Sequence, residues 1–210
     1  MTRIVTILMI ATYLVSCGPS QKVTSSWVNK DFTPTKKAQT IFIMVLTQSQ
    51  ANRNIIETDL AKAAEAKGLK VYKSSEVFAP NFQRNELPDK QVIIDKVKQL
   101  GCDVILSSHL VDKQSETRYV PGTTTYMPYG GYGYGWGGYY GSMGSYYSNP
   151  GYYTTDKTYF METNIFDVAS EKLIYSAQSE AYNPSNVSSF SRDYTQVLVD
   201  RVNRDLINKK

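Results

Sequence analysis

Cys102 and His109 are the only cysteine and histidine beyond residue 20, and together they could form a nucleophile and its base. A thiol is activated by an imidazole only within hydrogen-bond reach. The stretch Cys-Asp-Val-Ile-Leu-Ser-Ser-His-Leu-Val over residues 102–111 has the apolar, β-branched character of a strand. Seven residues of strand hold the pair roughly 20 Å apart, at about 3.3 Å per residue, and on opposite faces. That spacing excludes a Cys/His dyad and predicts Cys102 as a small buried apolar residue, with His109 satisfied or on the surface. One histidine and scattered carboxylates offer no ligand spacing for zinc or calcium, so neither a metal nor a cofactor is expected. A phosphate cradle needs glycines at a helix amino end after the first strand. The segment there, Thr47-Gln-Ser-Gln-Ala-Asn-Arg-Asn54, has none. Glu162 and Glu180 remain, set diagonally across one face by a hairpin whose paired residue numbers sum to about 340. Two nearby carboxylates are the apparatus of glycoside hydrolysis. The same alternation describes a plain solvated sheet face, and no feature near either glutamate would raise its pKa. The expectation is therefore a protein without catalytic residues.

Aromatic chemistry is concentrated elsewhere. From Tyr119 to Thr155 the chain has no Asp, Glu, Lys or Arg, yet holds ten of its thirteen glycines and eleven of its seventeen tyrosines. The rings follow neither a 3.6 nor a 2.0 period and glycine is costly to order, so this run is predicted to form neither helix nor packed strand. It reads as an insertion over about 121–153, either disordered or a working surface. In the second case Tyr132, Tyr134, Trp136, Tyr139 and Tyr140 are the candidate contacts, since tyrosine is amphipathic and cheap to order. An envelope protein, a glycan or the membrane interface are the partners such rings suit.

The first sixteen residues are a targeting segment. Arg3 supplies the positive start, Ile4 to Val15 the apolar run, and Leu14-Val15-Ser16-Cys17 the small-residue cleavage site. These four residues resemble the lipobox of bacterial lipoproteins. The resemblance implies cleavage before Cys17, a diacylglycerol on its sulfur and an acylated amine, a multiple-chain anchor of the stable kind. By the sorting rule of enteric bacteria, Gly18 in place of Asp directs the product to the outer membrane, facing the periplasm. Residues 17–26 are small and polar, and read as a lipidated tether. Cys102 is then the one free thiol, and no internal disulfide can form. The 23 basic and 19 acidic residues are spread along the chain, so its net charge of +4 offers nucleic acid no concentrated basic face.

The remainder is long enough for one domain, residues 27–208, at 41% hydrophobic and 20% charged. Thr40 to Leu46 is a continuous apolar run that predicts a central strand, covered on both faces. Helices are predicted over Asn52–Lys67, with Ile56, Leu60, Ala63 and Ala64 inward and Glu57 off that face, and over Asp89–Leu100. Leu69–Phe78 and Cys102–Val111 complete two strand-helix-strand units of parallel strands. After the insertion, Lys157–Val168 and Lys172–Tyr182 form a hairpin with Tyr159, Met161, Thr163, Ile165, Tyr175, Ala177 and Ala181 toward the core. A last helix runs from about Ser188 to Asn208. The fold class is α/β, a mixed five-stranded sheet built βαβαβ-insertion-ββα. Numbered along the chain, its strands are expected in the order 2-1-3-4-5.

Several local motifs carry a wider resemblance. Ser26-Trp27 with Asp31-Phe32, Gly101-Cys102-Asp103-Val104-Ile105-Leu106, Tyr119-Val120-Pro121-Gly122 leading into Tyr/Gly repeats, Glu162-Thr163-Asn164-Ile165-Phe166-Asp167 and Lys172-Leu173-Ile174-Tyr175-Ser176 look like those of a family of bacterial envelope lipoproteins. Tyr175 stands where relatives often carry Trp. The family is similar in outline to the amino-terminal domain of TolB and to the lipoproteins of exopolysaccharide and curli export. What the resemblance implies is an envelope module acting by contact and assembly, with no established catalytic residues to carry over. A carbohydrate-binding or carbohydrate-processing module, using the aromatic loop as a sugar platform and Glu162/Glu180 as its chemistry, is the alternative.

Overall fold

The computed structural model describes residues 21–34, 36–80, 82, 89–120 and 152–207. Among them six strands and four helices follow one another: β1 (Gln21–Val28), β2 (Thr40–Leu46), α1 (Gln50–Glu65), β3 (Lys70–Lys73), α2 (Ser74–Val77), α3 (Lys90–Gln99), β4 (Val104–Val120), β5 (Tyr152–Asp167), β6 (Leu173–Tyr182) and α4 (Val187–Val202), with a π turn at Asn203–Ile207. All strands join one sheet, ordered β1-β6-β5-β4-β2-β3. Both β3 and β4 run parallel to β2, which lies between them. Asp167 N–H donates to the Lys172 carbonyl at 3.0 Å, closing the β5–β6 hairpin at a sum of 339.

The five expected strands thus take their expected order, but the sheet has a sixth. β1 pairs antiparallel with β6, Lys22 opposite Glu180 and Trp27 opposite Ser176, with a bulge between Val23 and Ser25. Residues 21–26, expected in the tether, are strand because they pair with β6, although their small polar side chains show no apolar alternation of their own. The bulge and Lys22 suit an edge, where a flat unpaired ladder would recruit other chains. Trp27 stays half exposed.

The apolar run of β2 is buried from Ile41 to Val45. Ile41, Ile43 and Val45 pack with Ile56, Leu60 and Ala61 of α1 and with Phe190, Tyr194 and Leu198 of α4. Phe42 and Met44 meet Ile94 and Val97 of α3 on the opposite face. Period-2 alternation therefore distributes one strand between two cores. Met161, Thr163, Ile165, Tyr175, Ala177 and Ala181 are all buried on the α4 side, as the hairpin register requires. Within that layer the Tyr194 hydroxyl bonds to Ser108 at 2.6 Å and to Thr163, tying α4 to β4 and β5.

Several boundaries move. The strand expected over Leu69–Phe78 stops at Lys73 and turns into α2. The last helix leaves α geometry at Asn203. β4 and β5 run into the charge-free stretch, so Tyr119, Val120 and Tyr152 to Thr155 are strand after all. A ladder propagates by register, and exposed ring positions do not stop it. Glu57, expected off the packed face of α1, is fully buried, as is Arg53.

The chain divides into two compact units, residues 1–113 with 159–210, and residues 114–158. In the second unit, the described ends of β4 and β5 are joined by the Thr117 and Thr155 hydroxyls at 3.1 Å, by Arg118 and Asp156 at 3.0 Å, and by tilted Tyr119 and Tyr153 rings.

Asp103 secures the parallel strands at their amino ends. Its carboxylate accepts from the Gln39 and Thr40 amides at 2.8 and 3.0 Å and pairs with Lys36 at 2.6 Å. Lys36 first, then the Gln39 amide, holds the carboxyl below the ordinary aspartate value. A lowered carboxyl stabilises the fold above its unfolded pKa and stops doing so as pH falls through the folded one. Asp103→Ala is expected to cost about 1–2 kcal/mol at neutral pH. In urea titrations the gap between parent and variant should close below about pH 4.

Candidate functional site

Among the described residues of the main unit, a concave region lies around the amino ends of β2 and β4, the ends of β1 and β5, and the π turn after α4. That turn is the local device, since a wider helical turn displaces the residues that follow it. It brings Asp205 back against the sheet. Ser26 Oγ donates to Asp205 Oδ2 at 2.6 Å, Arg201 Nε at 2.8 Å and the Tyr175 hydroxyl at 3.3 Å. Arg201 also donates to Ser26 Oγ at 2.7 Å. Burial opposes ionisation of Asp205, yet the Ser26 and Arg201 hydrogen bonds outweigh it and hold the carboxyl low. Burial, and then the neighbouring Asp205, pushes the Tyr175 hydroxyl up to about 12. An acid held ionised and a phenol held neutral suit recognition and fastening rather than proton transfer at neutral pH.

Three hollows meet here. One of about 630 Å³ is bordered by Trp27, Asn29, Asp31, Arg201 and Asp205. A second, of about 760 Å³, shares Val28, Asn29 and Asp205 with it and reaches Phe32, Lys36 and Asp103. The third, of about 630 Å³, is an apolar cleft between α1 and α4. The local motifs explain part of this geometry. Asn29 donates to the Leu173 carbonyl at 3.0 Å, and its side chain accepts from the Asp31 amide. Gly101 ends α3 at φ +67°, a left-handed conformation that favours glycine, and so turns the chain into Asp103.

The residues singled out by type fall apart in space or are otherwise engaged. Cys102 precedes β4 and is buried in the α3-side core. Burial first, then the Asp103 charge, pushes its thiol up to about 11, which removes the thiolate a nucleophile needs. His109 lies on β4 opposite Leu46 of β2. Glu180 is ion-paired with Lys22 at 2.7 Å, and Glu162 accepts from Asn164 at 2.8 Å. Cys17 and the five candidate aromatics Tyr132, Tyr134, Trp136, Tyr139 and Tyr140 lie outside the described residues. Among the described residues, no three His, Cys, Asp or Glu side chains gather as a metal site, and no helix is long and apolar enough to cross a membrane. The cluster of Ser26, Tyr175, Arg201 and Asp205 had no signature beyond the i, i+4 spacing of Arg201 and Asp205.

No family model and no curated protein matches the chain. Solved structures of similar outline include a PelC dodecamer from Paraburkholderia phytofirmans carrying one leucine-to-methionine substitution. It is 13% identical over 83% of this chain and 95% of that one, with a TM-score of 0.44. A lipoprotein from Neisseria meningitidis is 12% identical over 79% of this chain and 99% of that one, TM-score 0.40. A PDZ domain protein from Parabacteroides distasonis is 12% identical over 96% of this chain and 40% of that one, TM-score 0.41. At these values the likeness is one of outline, and function has to be argued from this chain's own residues.

Proposed function

We propose that this chain is a lipid-anchored envelope protein that works by contact rather than catalysis, held by Cys17 in the outer membrane and facing the periplasm. The lipobox Leu14-Val15-Ser16-Cys17 carries the anchoring part of the reading, and the start of β1 sets how close the anchor lies to the sheet. Strand pairing starts at Gln21, opposite Ala181, only four positions after Cys17. Four residues span at most about 14 Å, so the lipid-bearing cysteine lies close to the end of the sheet formed by Gln21 and Tyr182. The tether expected over residues 17–26 gives way to strand at Gln21, and in this reading one end of the main unit is held near the bilayer. β1 then runs about 23 Å to Val28. The hollows around Asn29, Asp103 and Asp205 are at that far end, turned toward the periplasm.

Contact is favoured over hydrolysis because Glu180 is committed to Lys22 and Glu162 to Asn164, leaving no spare carboxylate pair across the hairpin. The Tyr/Gly segment supplies the contact surface in this reading. Kinship with the TolB amino-terminal module and the export lipoproteins belongs to the same proposal. The test is an affinity pull-down from gently solubilised envelopes, with mass spectrometry, comparing the full chain with one lacking Pro128 to Ser148. Partners should vanish with the deletion. An unchanged partner list would exclude the segment as the working surface.

A further inference from the structure

We propose that the cleft between α1 and α4 binds a single-chain amphiphile with an anionic head, of the long-chain fatty acid class. The cleft is a half-open groove of about 630 Å³, within the 300–1,000 Å³ range of small-molecule sites. Ile41, Leu60, Leu106 and Leu198, each buried in the core, form its floor, and the more exposed Ala64 and Leu206 stand above them. The sequence leaves this space open in two ways. α1 presents Ala63 and Ala64 where larger side chains would interdigitate with α4. The π turn then displaces Leu206, which remains 38% exposed instead of closing over the gap. An alkyl chain laid along such an apolar groove would gain dispersion contacts with its walls.

The rim selects the occupant's head. Of the residues lining the cleft, only Lys37, Lys67 and Asn203 are polar, and none is acidic. Both lysines are exposed. Neither ammonium has a partner among the described residues, so both are free to meet an anion at the rim. An alkyl chain inside and a carboxylate at the lysines satisfy both halves of the site. A neutral alcohol of the same length satisfies only the first. Lys67 follows α1 and Leu206 follows α4, so the cleft opens toward the same end of the unit as the other hollows, away from Gln21. The amphiphile would enter from the periplasmic side rather than directly from the anchoring bilayer.

The test uses the mature chain with Cys17→Ser, so that covalent acyl chains cannot compete and no detergent is needed. The probe is cis-parinaric acid fluorescence, with palmitate and hexadecan-1-ol as competitors. One saturable site is expected, displaced by palmitate. Lys37→Glu combined with Lys67→Glu should weaken parinarate and palmitate about tenfold while changing hexadecan-1-ol by less than about twofold. Ala64→Trp should abolish binding by filling the cleft. Absence of saturable binding in the parent chain overturns the proposal, and so does equal affinity in the lysine variant. Should Ala64→Trp fail to fold by circular dichroism, the exposed lysine pair still decides the question.

Discussion

Glu57→Ala is expected to destabilise the main unit by about 3–5 kcal/mol, a large part of the 5–15 kcal/mol that holds a typical domain. The carboxylate is fully buried and serves three donors from two other elements. Oε1 accepts from the Val45 amide of β2 at 2.9 Å and from the Ser74 hydroxyl at 2.5 Å, and Oε2 accepts from the Ser75 amide at 2.8 Å. Alanine leaves those donors buried without acceptors, at about 1–3 kcal/mol for each that water cannot reach. Denaturant midpoints for Glu57→Ala and Glu57→Gln provide the check. Glutamine keeps one acceptor oxygen and turns an NH2 toward the remaining donors, so it should fall between parent and alanine. A loss below about 1 kcal/mol in the alanine variant would mean that water satisfies the donors and that the glutamate is dispensable.

Cys17→Ser is expected to move the chain from the membrane fraction to the soluble periplasmic fraction. A diacylglycerol plus an amide-linked chain gives stable anchoring where a single chain is marginal, and among the described residues no helix can replace it as a membrane span. Fractionation, with intact mass to establish the lipid on the parent, is the measurement. The short reach from Cys17 to Gln21 adds a second expectation. Inserting about twenty Gly/Ser residues after Ser20 should keep the chain in the membrane fraction and make the Gln21 end newly accessible to protease, because such a linker adds a root-mean-square reach of roughly 25 Å. A serine variant that stays in the membrane fraction would assign retention to the folded surface instead of the cysteine.

How much could be read beforehand followed from how local each cause is. β2 was legible because five successive apolar residues need cover on both faces, and α3 because Asp89 caps it, accepting from the Gln91 amide, and Gly101 closes it. The hairpin faces followed from alternation once the turn was placed. β1 was not legible, since Gln-Lys-Val-Thr-Ser-Ser becomes strand only by pairing with β6, 150 residues along the chain. Glu57 was assigned to solvent on helical period alone. Its burial depends on Val45 and the Ser74-Ser75 turn converging on one point, a condition absent from the 3.6-residue repeat.

By itself, the sequence determined the α/β class, five of the strands, the cover on both faces of β2 and the exclusion of a Cys102/His109 dyad, because apolar periodicity, capping residues and chain spacing act within a few residues. Tertiary structure alone decided the sixth strand, the burial of Glu57 and Arg53, the fastening of Asp205 to Ser26 and Tyr175, and the open cleft between α1 and α4. Each of these depends on groups far apart in the chain meeting at hydrogen-bond or van der Waals distance. No local pattern encodes that meeting.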